Sequence, residues 1–509
     1  MSIVGIDFGM ENIKVSVVMG KIIKTLNLDS RMGDIHVSPN VVYYKKNENG
    51  GIEKYFFGSK EANQGRILFE DDYIRHSKRL LRLENWEKSI CDNSAVVTID
   101  GVLSDIFSAA KNRIVQETID DKIDAVITVP VNFTEAQKHR LSANAEHAGI
   151  NVINIITEPF AALFSKDIIA KIENIQTRKN VAVFDFGGST LDICAAAVIP
   201  ENGALRIEIL GSAGMNYGGV DITNDMYEHI VFPFFEDVAD AEMNDMTMKN
   251  SFYKEIEAAK RNLFSEDSYD DDVTDITYKG KRLEMSRKTF DDFLREQGID
   301  TKIKNMFDDM LDSINEDSFC DDLEYSDFSD VFMIGGTSRM PFFQDLVREI
   351  FGDDDIIDED ILDDDENLYN SVANGAAAFP GCSEQFRVSQ KLSMSIGIDR
   401  GRGYEILLNK NVTYGEKSAL KTIPIDFLKK NNGMIKIYQS ASDRLIYGKC
   451  YDVDDEDILF SGIVKIDTEL YDNSRDIGIE CYNTPKSVMI DTYQNNGEQC
   501  IERIALTFV

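Results

Sequence analysis

The hydrophobic and polar positions of the chain spell one pattern twice. Near the start, Ile3-Val4-Gly5-Ile6 runs into Asp7-Phe8-Gly9, and apolar residues resume at Ile13 and from Val15 to Val18. About 180 residues later, Val181-Ala182-Val183-Phe184 meets Asp185-Phe186-Gly187-Gly188, and the apolar run resumes through Leu191-Asp192-Ile193-Cys194-Ala195. Each copy predicts a strand, a tight glycine turn and an antiparallel strand. Two copies predict a duplicated α/β domain with a ligand between its lobes. A third apolar run, Val331-Phe332-Met333-Ile334, ends in Gly335-Gly336. Pro341 then opens a helix-spaced stretch to Phe351, a tolerated place because its missing N–H has no partner in a first helical turn. Residues 250–264 and 287–312 also read as amphipathic helices.

From about residue 392 the helical spacing stops. Tyr404–Leu408, Met434–Tyr438, Ile463–Ile466, Ile477–Cys481, Val488–Tyr493 and Ile501–Val509 are short apolar runs separated by Asn, Asp and Gly. They predict an all-β sandwich over 392–509. Pro380-Gly381-Cys382-Ser383-Glu384-Gln385 reads as the start of a linker over 381–391. The preceding residues divide into a first lobe of about 1–178 and a second of about 179–380.

Charge narrows the function. The chain carries 90 acidic and 54 basic residues, a net charge of −36. That balance excludes direct contact with nucleic acid or an anionic membrane, because both need concentrated Lys and Arg. Acids cluster at 266–275, 316–330 and 353–366; the last reads as a solvated acidic loop, with a cation or basic-partner site as the alternative. No apolar run is long enough for a membrane span, and the N-terminal residues lack the order of a signal peptide. Seven scattered cysteines without a CxxC pair predict reduced thiols and a cytoplasmic protein. The histidines do not fall at metal-ligand spacing.

The candidate chemistry lies at the glycine turns. Glycine lets backbone N–H groups approach phosphate oxygens without a Cβ between them. Asp7 and Asp185, facing each other across a cleft, could hold Mg²⁺ through its water shell. The Thr190 hydroxyl would reach a terminal phosphate, or cap the turn. Gly335-Gly336 would bring backbone near a nucleoside, with Arg339 stacked on the base.

These residues carry a resemblance. IVGIDFG resembles the first phosphate motif of the DnaK-type heat-shock chaperone family, and VFDFGGSTLDI its second. DAVITVPVNFTEAQKHRLSANAEHAGINVINIITEPFAAL is similar to the connecting motif, VFMIGGTSRMP to the adenosine motif, and SIGID to the entry into the substrate-binding β-domain. The resemblance implies a duplicated actin/hexokinase-like two-lobed ATPase domain, then an all-β sandwich domain with no helical lid, and ATP and Mg²⁺ as cofactors. Carried over by motif, Lys78 would hold the attacking water and Glu158 would stand near the metal. Glu257, Lys260 and Arg261 would clasp adenosine. Gly9, Gly187, Gly188, Gly218, Gly219, Gly335, Gly336 and Thr337 would line the phosphates and nucleoside.

Departures from the family pattern point to impaired turnover. Met10 and Glu11 replace two threonines that hold phosphate, and Ser189 replaces the third glycine of the second motif. Phe264 stands for a serine beside the adenine, Tyr369 for an aspartate of the outer pocket, and Phe386-Arg387-Val388-Ser389-Gln390 for an apolar, acid-flanked linker. A carboxylate about 4 Å from a phosphate is repelled by roughly a few kcal/mol, so Glu11 either turns away or weakens triphosphate binding. The layout is similar to the Hsp-like subunit of the eukaryotic ribosome-associated complex. That resemblance implies an atypical chaperone with a zuotin-like J-domain partner, nascent polypeptide as contact, indirect ribosome attachment and a separate catalytic heat-shock chaperone. An active ATP-dependent foldase without a lid, and a nucleotide exchange factor, are the alternatives.

Overall fold

A computed structural model describes residues 2–28, 38–68, 70–83, 85–201, 204–238, 246–264, 272–317, 322–399, 403–410, 412–440, 450–451, 458–471, 475–484, 487–494 and 500–506. Both duplicated runs form the expected hairpins. Ser2–Phe8 pairs antiparallel with Asn12–Met19 in the register Asp7↔Lys14 and Phe8↔Ile13. Lys179–Phe186 pairs antiparallel with Leu191–Glu201 in the register Asp185↔Asp192 and Phe186↔Leu191. The two turns are therefore structural equivalents, down to the pair of residues facing each other at the strand ends.

Each hairpin sits in its own sheet. The first sheet runs Asn151–Thr157, Ile123–Val129, Ser2–Phe8, Asn12–Met19, Ile22–Leu26, with Ser38–Pro39 against Asn12–Met19. Ile123–Val129 and Asn151–Thr157 are parallel, joined through the helix Glu135–His147. That helix starts in a capping box, in which the Thr134 hydroxyl accepts from the Gln137 N–H and the Gln137 side chain accepts from the Thr134 N–H. The second sheet runs Phe328–Ile334, Lys179–Phe186, Leu191–Glu201, Ala204–Met215, Arg387–Ser389. Both sheets are apolar on both faces and are covered by helices, as parallel pairings require. The fold is mixed α/β, a two-lobed actin-like ATPase fold.

The helix Asp365–Gln385 ties the lobes together. At Gly375 it passes so close to the helix Glu158–Ala162 that a Cβ would overlap the Ala161 carbonyl oxygen. Beside it, Asn374 Oδ1 accepts from the Ser16 hydroxyl at 2.7 Å and the Thr25 hydroxyl at 3.0 Å on the first sheet.

Two sheets build the C-terminal sandwich. One runs Cys450–Tyr451, Tyr404–Leu408, Ser395–Asp399, Met434–Ser440, Leu459–Lys465, and the other Lys421–Pro424, Asp476–Asn483, Val488–Gln494, Cys500–Ala505. Ile396, Ile437 and Val464 from the first meet Ile479, Cys481 and Ile490 from the second in one core. The sandwich docks on the helix Glu135–His147. Gln439 Oε1 accepts from the Glu135 N–H at 2.8 Å, and Glu135 Oε1 accepts from Lys138 Nζ at 2.8 Å and Asn483 Nδ2 at 3.4 Å.

The structure differs from the sequence expectations in four places. The helix over 287–312 is two helices, Arg287–Glu296 and Ile299–Asp317, broken at Gly298 with φ +64°. The linker over 381–391 is helical as far as Gln385 and then a strand, Arg387–Ser389, parallel to Ala204–Met215. Phe379, Cys382, Phe386 and Val388 pack on the apolar core beneath, and that burial outweighs the helix penalty of Pro380 and Gly381. The acidic stretch 353–366 is not simply a loop. Ile356, Ile357, Ile361 and Leu362 are buried, Asp358 caps the helix Glu359–Asp363, and Asp364 caps Asp365–Gln385, while most of the remaining acids face water. Finally, Ile425–Lys430 is a helix too short for its periodicity to show. Parts of the acidic clusters at 266–275 and 316–330, and residues 507–509 of the last apolar run, lie outside the described residues. Among the described residues no helix is long and apolar enough to cross a membrane.

Candidate functional site

The glycine turns of the two hairpins lie against each other where the lobes meet, and the cleft between them closes over a floor of four buried carboxyls, each at most 7 % exposed. Asp7 and Asp185 end the two equivalent strands; Asp192 faces Asp185 across its hairpin, and Glu158 opens the helix Glu158–Ala162. Two lysines share this floor. Lys78, 5 % exposed, donates to Glu158 Oε1 in a buried ion pair and lies over the Phe133 ring at 5.6 Å. Lys14 donates to Asp7 Oδ2 at 2.7 Å.

The carboxyls outnumber the ammonium groups, and their protonation responds. Burial pushes Asp185 well above the carboxylate range, reinforced by the charges of Glu158, Asp192 and Asp7. Burial, followed by Glu158, pushes Asp192 up to about 8, although its Oδ1 accepts from the Val131 N–H at 2.9 Å. Glu158 is also raised by burial, with Lys78 acting against the rise. Burial works to lower the Lys14 pKa, but Asp7, Asp185 and Glu158 more than offset it and hold the ammonium charged.

Above the floor, the second phosphate turn is knitted to its neighbours. Gly187 O accepts from the Gly219 N–H at 3.1 Å and the Thr337 hydroxyl at 2.9 Å; Gly188 O accepts from the Val220 N–H at 2.9 Å. Gly218 packs against the Ser189 backbone. Lys260 Nζ donates to Gly219 O at 2.7 Å and Glu257 Oε1 at 2.6 Å. Thr190 is buried beneath, its carbonyl accepting from the Gly187 N–H at 3.0 Å. The first turn is held by Asn40, whose Nδ2 donates to Gly9 O at 2.7 Å. Met10 is buried.

Glu11 divides between the two turns and His76. Its Cβ and Cγ lie against Gly188 of the second turn, and its carboxylate pairs with His76; burial works to raise its pKa, and the His76 hydrogen bond and charge bring it down. The Glu11 chain therefore bridges the two turns, with its carboxylate held on His76.

The adenosine-side residues are distributed differently from the sequence expectation. Gly335, at φ +83°, and Gly336 form the third turn, where Gly336 packs on the Tyr369 ring. Arg339, expected to stack on a base, pairs with Asp365 at the start of the long helix. Phe264 is committed to the lobe's core, edge-on to Phe290 at 5.3 Å with the Arg287 guanidinium over its face. Arg261 faces solvent. The structure thus gathers Asp7, Lys78, Glu158, Asp185 and Thr190 below, with Gly187, Gly188, Ser189, Gly218, Gly219, Glu257, Lys260 and Thr337 around the second turn.

A family model described as Hsp70 protein matches residues 73–446, well over half of the chain. The chain belongs to the Hsp70 family. Its function is accordingly of the chaperone type, in a family of ATP-binding heat-shock proteins. Hsp70 membership fits the order of the motifs along the chain and the three-turn geometry. Four residues of the site had no role assigned from the motifs: Lys14, Asp192, Asn40 and His76. For two of them the signal was present. Once Asp7-Phe8-Gly9 and Asp185-Phe186-Gly187 are hairpin ends, counting back across each turn places Lys14 opposite Asp7 and Asp192 opposite Asp185.

The residues were also tested against a metal ion. Asp7, expected to hold Mg²⁺ through water, already carries the Lys14 ammonium at 2.7 Å. Among the described residues no group of three or more His, Cys, Asp or Glu is arranged to hold a metal ion. The Asp7 carboxylate, engaged by Lys14, does not fit the water-held cation expected from the Asp7 and Asp185 pattern.

Proposed function

We propose that this Hsp70 chain binds a nucleotide in the cleft and hydrolyses it slowly or not at all. We further propose that it works as a regulatory chaperone subunit rather than a cycling foldase. The observation that supports the reading is Glu11, whose chain lies against Gly188 with its carboxylate on His76, so that it brings negative charge to the turns where a terminal phosphate would bind. At an effective dielectric near 20, two charges 4 Å apart repel by about 4 kcal/mol. Lys78 adds to this. Its ammonium is buried on Glu158, and using it to orient a water would leave that carboxylate alone.

The partners are those implied by the resemblance to the ribosome-associated subunit, and the charge is compatible with them. A chain at −36 does not bind ribosomal RNA directly, but it complements a basic J-domain protein of the zuotin type that supplies those contacts. In this reading the chain works in the cytoplasm, contacts nascent polypeptide, and its J-partner stimulates a separate catalytic chaperone. Affinity capture at physiological salt tests it: ribosomes arriving with a J-domain protein agree, and a chaperone arriving alone would favour the exchange-factor reading. Calorimetry tests the pocket. Replacing Met10 and Glu11 together with Thr should tighten ATP binding more than tenfold, and an unchanged affinity would remove Glu11 from the argument.

One observation favours a second reading, an active foldase. The strand Arg387–Ser389 is added to the edge of the second sheet, and the sandwich is hydrogen-bonded to the first lobe through Glu135. A physical route between cleft and β-sandwich is therefore built, despite the altered linker residues.

A further inference from the structure

The two hairpins share one register, and the residue that faces the strand-end aspartate differs between them in charge. In the second copy a carboxyl faces a carboxyl, Asp185 across from Asp192; in the first a carboxyl faces an ammonium, Asp7 across from Lys14. Like charges placed directly opposite on a sheet repel, whereas opposite charges attract. Lys14 is also the group through which the other acids of the floor are balanced. It touches Asp7, and the charges of Asp185 and Glu158 act on it, while Lys78 is engaged by Glu158. A hydrated divalent ion brought to Asp7 would meet this ammonium at van der Waals range and repel it. Moving Lys14 out would strand Asp7, which is 4 % exposed, without its only described ion-pair partner.

We propose that Lys14 is a built-in counter-cation that takes the place of a divalent metal ion in this cleft, so that nucleotide binds here without one. The nucleotide part rests on the function proposed above; the displacement of the metal does not. One ammonium supplies a single positive charge where a magnesium ion supplies two, and Glu11 stands over the second turn. A nucleoside diphosphate is therefore the better-matched ligand, and a triphosphate the poorer one.

The test uses the full chain and begins with magnesium alone. Titrated at constant ionic strength and followed by calorimetry and by thermal unfolding, the wild type should take up no Mg²⁺ at the cleft. Its melting temperature should be unmoved, as should that of Lys14→Arg. Lys14→Met keeps the length of the side chain and removes the charge, and should gain Mg²⁺ affinity at least tenfold. Magnesium binding by the wild type that is lost in Asp7→Asn would overturn the proposal, and this result needs no Lys14 variant to fold. In a second arm, ADP is titrated with Mg²⁺ and with EDTA. Wild-type affinities within about threefold of each other support the proposal, and a tenfold loss in EDTA contradicts it. A wild type that binds no nucleotide in either buffer would remove the nucleotide reading, while the magnesium titration would still decide what Lys14 does.

Discussion

Asp192 is the most titratable group of the cleft floor, and the sign of its effect is opposite to that of a salt-bridged carboxylate. Its folded-state pKa is raised by burial and by Glu158 to about 8, far above its unfolded value. In that interval the folded chain holds a proton that the unfolded chain has released, so stability falls as pH rises from about 4 to about 8. One such group contributes at most about 1.4 kcal/mol per pH unit. Asp192→Asn retains the acceptor for the Val131 N–H and removes the titration. Melting temperatures recorded from pH 5 to pH 8 should therefore fall less steeply in the variant, and parallel curves would assign the slope to other groups. Asp185, raised by burial and by the same neighbours, adds in the same direction.

At the scale of elements, the close passage of the helix Asp365–Gln385 across the helix Glu158–Ala162 sets how Glu158 enters the cleft. Gly375→Ala isolates that passage. Helix propensity alone favours Ala by about 1 kcal/mol, whereas a Cβ that overlaps the Ala161 carbonyl forces the helices apart at a cost of about 1–3 kcal/mol or more. We expect a net loss, read as a lower urea midpoint with an unchanged slope; a gain would show that the helices separate freely. These elements also mark what the sequence made legible. The hairpins were readable because strand, Asp, Phe and Gly recur in order, and the helix Pro341–Phe351 because proline marks its first turn. The linker was not readable, because Pro380-Gly381 has the local signature of a break. Only the tertiary burial of Phe379, Cys382 and Phe386 makes it a helix. The same limit applied to Phe264 and Arg339, which motif position placed on a nucleoside. The fold gives one to the core beside Phe290 and the other to Asp365. Motif order locates backbone turns well, but a side chain's partner depends on residues far along the chain.

For the whole molecule, the docked sandwich depends on a small polar cluster in a buried interface. Gln439 accepts from the Glu135 N–H and from the Ser461 hydroxyl at 2.6 Å. Burial acts to lower the Lys138 pKa, but Glu135 and Tyr414 hold it raised, so that ammonium stays charged across the working range. Gln439→Ala leaves a buried N–H without its partner, at a cost of about 1–3 kcal/mol. Hydrogen exchange at Arg387–Ser389 should accelerate in the variant, and unchanged protection would mean that the linker strand holds independently of the sandwich. The central claim, that nucleotide is held but not turned over, is tested most directly by single-turnover hydrolysis. The full chain, in excess over labelled ATP, is followed in Mg²⁺ and in EDTA, alone and with a J-domain protein, beside Lys78→Ala. The account predicts that ATP is recovered intact in every condition, at a background rate the same in wild type and variant. Conversion to ADP by the wild type that Lys78→Ala abolishes would contradict it.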